Sequence, residues 1–143
     1  MSTYDSLKLE NQLCFPLYAC SKEVVRRYKP LLDKLDLTYT QYITMMVLWE
    51  EGETNVHDLG KRLFLDSGTL TPLLKKLEAK GYLERRRSQQ DERNLIVTVT
   101  GKGMALREQA LHVPEQMGAC ISLTSEEAVF LYKILYKILS TVE

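Results

Sequence analysis

Leucines recur at the helical period through the middle of the chain and stop at a glycine. Leu70, Leu73, Leu74 and Leu77 predict a helix over 67–80 with one buried face, and Gly81 is placed as its left-handed terminal residue. The pattern then predicts two strands, 83–87 and 94–99, joined by a charged loop; the second alternates Val with Thr. Upstream, Val56, Leu59 and Leu63 give a helix over 56–64 capped by Asn55. Ile43, Met46, Val47 and Leu48 supply the inward side of a helix over 40–51, capped by Thr38 or Thr40 and ended by Glu-Gly-Glu. Residues 10–35 read as a first helix, with Leu13, Leu17, Val24 and Leu31 among its apolar positions. Pro16 fits its first turn if the helix starts nearby, and Pro30 is expected to kink or interrupt it. After Thr100 a helix is expected over 101–117, and Thr124 with Glu127 forms a capping box that opens a last helix to about 141.

That order gives the fold class: mainly α with a small β-hairpin wing, a winged helix-turn-helix. Only two residues, Leu65 and Asp66, link the helices 56–64 and 67–80, so the chain must turn sharply there. Residues 40–100 form the expected DNA-binding region, and 1–143 form one subunit. The last helix is apolar around most of its circumference, from Val129 to Leu139, and such a helix needs covering by another chain. The segments 10–35 and 101–143 are therefore the expected dimerisation region of a homodimer. A dimer suits double-stranded DNA, because two recognition helices then meet half-sites ~34 Å apart.

With its leucines inward, the helix 67–80 offers Ser67, Gly68, Thr69, Thr71, Pro72, Lys75 and Lys76 on the opposite face. Small hydroxylated side chains allow close approach to base edges, and lysines bind phosphate. In the wing, Arg85, Arg86, Arg87 and Arg93 supply charge, with Asp91 placed to orient Arg93. Pro72 removes one backbone bond if Ser67 caps the helix and none if the helix begins at Thr69. The alternative is a solvated helix beside a solvated hairpin; the order and spacing of the pieces favour DNA.

Net charge is zero, but residues 61–93 hold nine Lys or Arg against five Asp or Glu, a local excess of four. DNA affinity follows that local footprint rather than the total. No apolar run approaches the ~20 residues of a membrane span, and the N-terminus lacks a secretory pattern. A cytoplasmic location is therefore expected. Three widely spaced cysteines make no disulfide framework. His57 and His112 stand apart from each other and from the cysteines, so no metal site is expected. No phosphate loop or paired catalytic carboxylates appear. Neither a cofactor nor an enzymatic activity is expected.

Five segments (Glu10–Phe15, Tyr28–Leu35, Leu37–Tyr42, Leu65–Lys75 and Asp91–Arg93) resemble the organic hydroperoxide resistance regulators (OhrR), a subgroup of the multiple-antibiotic-resistance regulator (MarR) family. The resemblance covers residues 10–100 well and the last third loosely. The Leu65–Pro72 string is fairly specific to the subgroup, whereas the wing Asp-x-Arg belongs to the wider family. It implies that Cys14 is a peroxide sensor and that Tyr28 and Tyr39 donate hydrogen bonds to its sulfur, with Tyr18 nearby. Cys120 falls where some members carry a resolving cysteine; others use a small free thiol. The implied function is a repressor that leaves a pseudo-palindromic operator when organic hydroperoxide oxidises Cys14.

Without the resemblance, Cys14 reads more readily as a buried core thiol. Tyr18 lies one turn after Cys14, whereas Tyr28 is too far along the helix to reach it within one chain. That contact requires either a dimer partner or a kinked segment folding back. Cys20 lies on a different helical face and reads as structural. Pro16 departs from the helix former expected in the sensor turn. One rival is a repressor released by a small aromatic ligand in a cleft lined by Tyr39, Tyr42 and Trp49. A thiol peroxidase is disfavoured by the lack of CxxC and of alternating strands and helices. Zero net charge disfavours a nonspecific architectural DNA binder.

Overall fold

The structure, a computed structural model, describes residues 2–90 and 94–142 of the 143-residue chain. The chain divides into two units, residues 1–113 and 114–143.

The first unit opens with two 3-10 turns, Asp5–Leu7 and Leu9–Asn11. The Gln12 side chain donates to the Ser6 and Lys8 carbonyls, each at 2.8 Å. Helix α1, Cys14–Asp33, therefore starts later than residue 10, with Pro16 as its third residue in the tolerant first turn. Pro30 lies inside α1 without interrupting it. It removes one backbone bond, in the last turn, where few others depend on it.

Helix α2, Tyr39–Glu51, begins with a full capping box between Thr38 and Gln41. Its inward face is Gln41, Thr44, Met45 and Leu48 with Tyr42 and Val47. Met46, expected inside, is 43% exposed, because the 41/44/45/48 stripe puts Met45 against the core instead. Gly52 (φ 78°) ends α2 and feeds a short strand, β1, Glu53–Asn55, which the sequence pattern did not reveal. Helices α3, Val56–Leu63, and α4, Ser67–Ala79, follow, then β2, Leu83–Arg87, and β3, Leu95–Val99. The sheet is antiparallel in the order β1-β3-β2, with Thr54 opposite Val97 and Arg85 opposite Val97 on the other side.

Helix α5, Gly101–Ala110, is capped by Thr100. The single helix expected over 101–117 breaks at Leu111, and α6 spans His112–Cys120. The reason is Pro114, which has no N–H to give to the Ala110 carbonyl. The core of this unit is mostly leucine: Leu32, Leu48, Leu59, Leu70, Leu74, Leu77 and Leu83 are each at most 2% exposed. Val97, Leu106, Ala110 and Val113 join the same cluster.

The second unit contains most of α6 and helix α7, Ser125–Leu139, opened by the Thr124–Glu127 capping box. No α7 residue is buried, and Phe130, Leu131, Tyr132, Ile134 and Ile138 are all exposed. Among the described residues, no helix is long and apolar enough to cross a membrane.

Candidate nucleic-acid interface and thiol site

The turn between α3 and α4 is built by three local devices. Phe64 takes the left-handed conformation (φ 57°), and the Leu65 N–H donates to the Gly60 carbonyl at 3.0 Å. A Cβ on Gly60 would lie 2.8 Å from the Leu65 carbonyl oxygen, so only glycine allows the chain to cross there. Asp66, rather than Ser67, caps α4: its Oδ1 accepts from the Thr69 N–H at 2.7 Å. That bond, with others from Thr69 and Gly68, holds the Asp66 carboxyl below its ordinary range. Since the helix starts at Ser67, Pro72 is interior and does forfeit one backbone bond.

The outward side of α4 matches the sequence reading. Ser67, Gly68, Thr69, Thr71, Pro72, Lys75 and Lys76 are all exposed, while the four leucines are buried. The wing differs. Arg85 donates to Glu78 through its backbone N (2.9 Å), Nε (3.1 Å) and Nη2 (2.9 Å). Those bonds hold the Glu78 carboxyl below its ordinary value. Arg85 thus ties β2 to α4, in addition to supplying charge to the wing. Arg86 donates to Glu53 at 2.9 Å, and Thr98 donates to the same oxygen at 2.9 Å. Arg87 is exposed at the end of β2. Asp91 and Arg93 lie outside the described residues.

Cys14 is the first residue of α1 and is exposed, so it is not the core thiol that a lone cysteine usually is. No side chain caps the helix in front of it. Cys20, read as structural, is also exposed, as is Cys120, the last residue of α6. Tyr18 is 58% exposed with the Lys22 ammonium 5.1 Å from its ring centre.

Tyr28 and Tyr39 come together, with ring centres 4.8 Å apart. Tyr42 joins them at 5.9 and 6.4 Å, and Trp49 meets Tyr42 edge-on at 6.4 Å. The Trp49 indole N–H donates to the Gly103 carbonyl at 2.8 Å. The sequence reading gave Tyr42 and Trp49 to a rival cleft; the fold puts them in one cluster with Tyr28 and Tyr39. The i, i+3 spacing of Tyr39 and Tyr42 was the available signal. Burial raises the Tyr28 and Tyr39 hydroxyls above their ordinary value, with Tyr39 adding to the effect on Tyr28. Burial, then Tyr28 and Tyr39, pushes Tyr42 up to about 12. All three phenols therefore stay protonated and able to donate.

Cys14 does not reach this cluster in its own chain. Because α1 is continuous, the fourteen residues from Cys14 to Tyr28 span about 21 Å. The folded-back alternative is thereby removed. An open groove of about 920 Å³ runs along α1, lined by Phe15, Tyr18, Val25, Leu32 and Tyr39, with Arg26 and Lys29 also on its wall. Among the described residues, no group of His, Cys, Asp or Glu is arranged to hold a metal ion.

The family model for the transcriptional regulators SarA/Rot matches residues 26–109. The organic hydroperoxide resistance transcriptional regulator of Bacillus subtilis (strain 168) is 45% identical over 138 residues, covering 96% of this chain and 94% of that protein. Reduced AbfR bound to DNA, from Staphylococcus epidermidis, superposes with a TM-score of 0.79 at 34% identity, over 97% of both chains. The disulfide form of AbfR superposes with a TM-score of 0.63 at 36% identity, over 95% of this chain and 92% of that one.

Proposed function

Because the chain belongs to the MarR-type family of winged-helix transcriptional regulators, with the SarA/Rot and organic hydroperoxide resistance regulators among its relatives, we propose that it is a redox-sensing repressor whose sensor is Cys14. The observation that carries this reading is the split of the thiol site along one continuous helix. An exposed cysteine opens α1, and a cluster of protonated phenols packs around its far half.

The two halves meet when two chains pair antiparallel along α1, so that Tyr28 and Tyr39 of the partner subunit face Cys14. Exposed apolar side chains on α1 (Phe15, Leu17, Val25) and on α7 support such pairing. In the dimer, α4 presents Ser67–Thr69, Thr71, Pro72, Lys75 and Lys76 to the major groove of operator DNA, with Arg86 and Arg87 along the backbone. A relative with both a reduced DNA-bound form and a disulfide form supports redox control.

The chemistry is that of a thiolate and a peroxide. The Cys14 sulfur attacks one oxygen of the O–O bond and forms a sulfenic acid. The other oxygen leaves as alkoxide and takes a proton to give the alcohol. Phenol donors stabilise negative charge on sulfur without adding a titrating charge. The sulfenic acid then condenses with a second thiol, either Cys120 of the partner subunit or a small free thiol, forming a disulfide and releasing water. Loss of the phenol contacts shifts the subunits, and two half-sites can no longer be matched.

Cys14→Ser should bind operator within about twofold of wild type and lose hydroperoxide-triggered release. Release by cumene hydroperoxide that persists in this variant overturns the sensor assignment. The groove along α1, walled by Phe15, Tyr18 and Tyr39 with Lys22, Arg26 and Lys29 beside Glu23 and Asp33, favours a second reading, release by a small aromatic ligand. Salicylate releasing the operator under reducing conditions, with cumene hydroperoxide inert, selects that reading.

A further inference from the structure

The sensor reading leaves open how a change at the tyrosines reaches α4, and one lysine outside both sites bridges them. We infer that Lys80 is a positioning residue for DNA binding: it latches the end of α4 onto the corner between α1 and α2, bracketed by Tyr28 and Tyr39, and so relays the state of the thiol site to the recognition helix. This rests on the reading of Cys14 as sensor.

The corner is rigidly made. After α1, Leu35 and Leu37 are buried, and the Leu37 N–H donates back to the Leu32 carbonyl at 3.1 Å. Asp36 sits between them in the left-handed conformation (φ 54°), with its side chain 88% exposed. Gln41, only 4% exposed, closes the other side, its Oε1 accepting from the Thr38 N–H at 3.0 Å. Lys80 reaches this corner from the C-terminal cap of α4. Its Nζ donates to the Asp36 carbonyl, lies 3.3 Å from Gln41 Oε1 and 3.5 Å from the Asp36 carboxylate. Two hydrogen bonds and one ion pair hold the ammonium toward the corner and away from the outward face of α4. Lys75 and Lys76 on the same helix are exposed and carry neither restraint.

The corner is also where the sensor phenols attach. Tyr39 is two residues before Gln41 on the first turn of α2, and Tyr28 is one turn before Leu32 on α1. Their rings touch across the corner at 4.8 Å. A shift of either ring therefore moves the segment that Lys80 grips. Packed elements answer such a shift by switching arrangement rather than by stretching.

The test uses the full-length dimer, operator DNA, and protein either reduced or oxidised with cumene hydroperoxide. Lys80→Met keeps the aliphatic stem and removes the donors. The reduced dimer should lose about tenfold in operator affinity while the oxidised dimer is unchanged, so the redox ratio falls about tenfold. Cys14 should oxidise at the wild-type rate, and the salt dependence of binding should not change. Lys80→Arg should restore most of the ratio. Asp36→Asn, which tolerates the left-handed corner and removes one acceptor charge, should give a smaller loss in the same direction and stands in if Lys80→Met folds poorly. Equal losses in both redox states make Lys80 ordinary support and overturn the inference. A salt slope reduced by ~0.9 per subunit makes it a phosphate ligand and also overturns it. A wild type indifferent to hydroperoxide overturns the sensor reading and the relay with it. The positioning role is then judged on reduced affinity alone, where an unchanged Lys80→Met removes it.

Discussion

Arg85 is the residue to whose sequence reading the fold adds most usefully. Its guanidinium makes two contacts with Glu78, at 3.1 and 2.9 Å, with side-chain exposures of 20% and 35%. Arg85→Ala removes both and leaves the backbone N–H bond to Glu78 in place. A charge-assisted bond is worth roughly 1.5–3 kcal/mol when sheltered, and solvent at this half-open site reduces the pair to about 1–2 kcal/mol. For a chain of this size that lowers the melting temperature by about 3–6 °C. The same pair makes stability pH-dependent. Glu78 is held below its ordinary 4.5, so its contribution is complete at neutral pH and erodes as pH falls below that value through the lowered one. Arg85→Ala should flatten this acid limb. Operator binding separates tie from ligand: loss of one phosphate contact per subunit lowers the salt slope by ~1.8 per dimer, whereas loss of a tie leaves it unchanged. Thermal melts between pH 3 and 7 and operator titrations at several salt concentrations give both readouts. An unchanged melting temperature with a slope reduced by that amount refutes the reasoning and returns Arg85 to the DNA face.

Leu131→Glu with Ile138→Glu places two charges on the exposed apolar side of α7 and should convert the dimer to monomers on size-exclusion chromatography. A particle that keeps the wild-type dimer size removes α7 from the interface. A heterodimer of Cys14→Ser with Tyr28→Phe/Tyr39→Phe should keep one intact trans site and oxidise one thiol per dimer at the wild-type rate. Oxidation as slow as in the tyrosine double-variant homodimer shows instead that each site is built within one chain.

The parts of the fold that were legible are those whose causes lie within about one helical turn. Asn55 and Thr124 with Glu127 cap the helices they were expected to cap, Thr38 is the cap of the two candidates Thr38 and Thr40, and Gly81 turns with φ 84°. The leucine stripe of α4 told which face would be outward. What stayed hidden depends on partners far along the chain. Three residues of β1 make too short a run to show a period, and they form a strand only because β3 pairs with them. Glu78 and Arg85 straddle Gly81, so their contact exists only after the chain reverses there. Lys80 looked like one more lysine of a basic segment, since its acceptors lie about forty residues upstream. Cys14 was a candidate through the family resemblance, while its exposure and its place at the start of α1 needed the fold.

Helix α1 explains why sensing and binding belong to the same dimer on the proposed reading. A kink at Pro30 cannot bring Tyr28 back to the thiol, because Tyr28 precedes Pro30 on the same continuous helix as Cys14. On that reading the thiol and its donors are completed by the same pairing of chains that sets the spacing of the two α4 helices. A monomer would have neither a complete sensor pocket nor two half-site contacts. Oxidation need not unfold α4 or the wing to release DNA; it needs only to disturb a contact made across the pair. The ties within the winged region (Arg85 to Glu78, Arg86 to Glu53, Lys80 to the α1–α2 corner) then have a common consequence. On that reading they are the contacts through which a displacement at the interface is passed to the recognition helix.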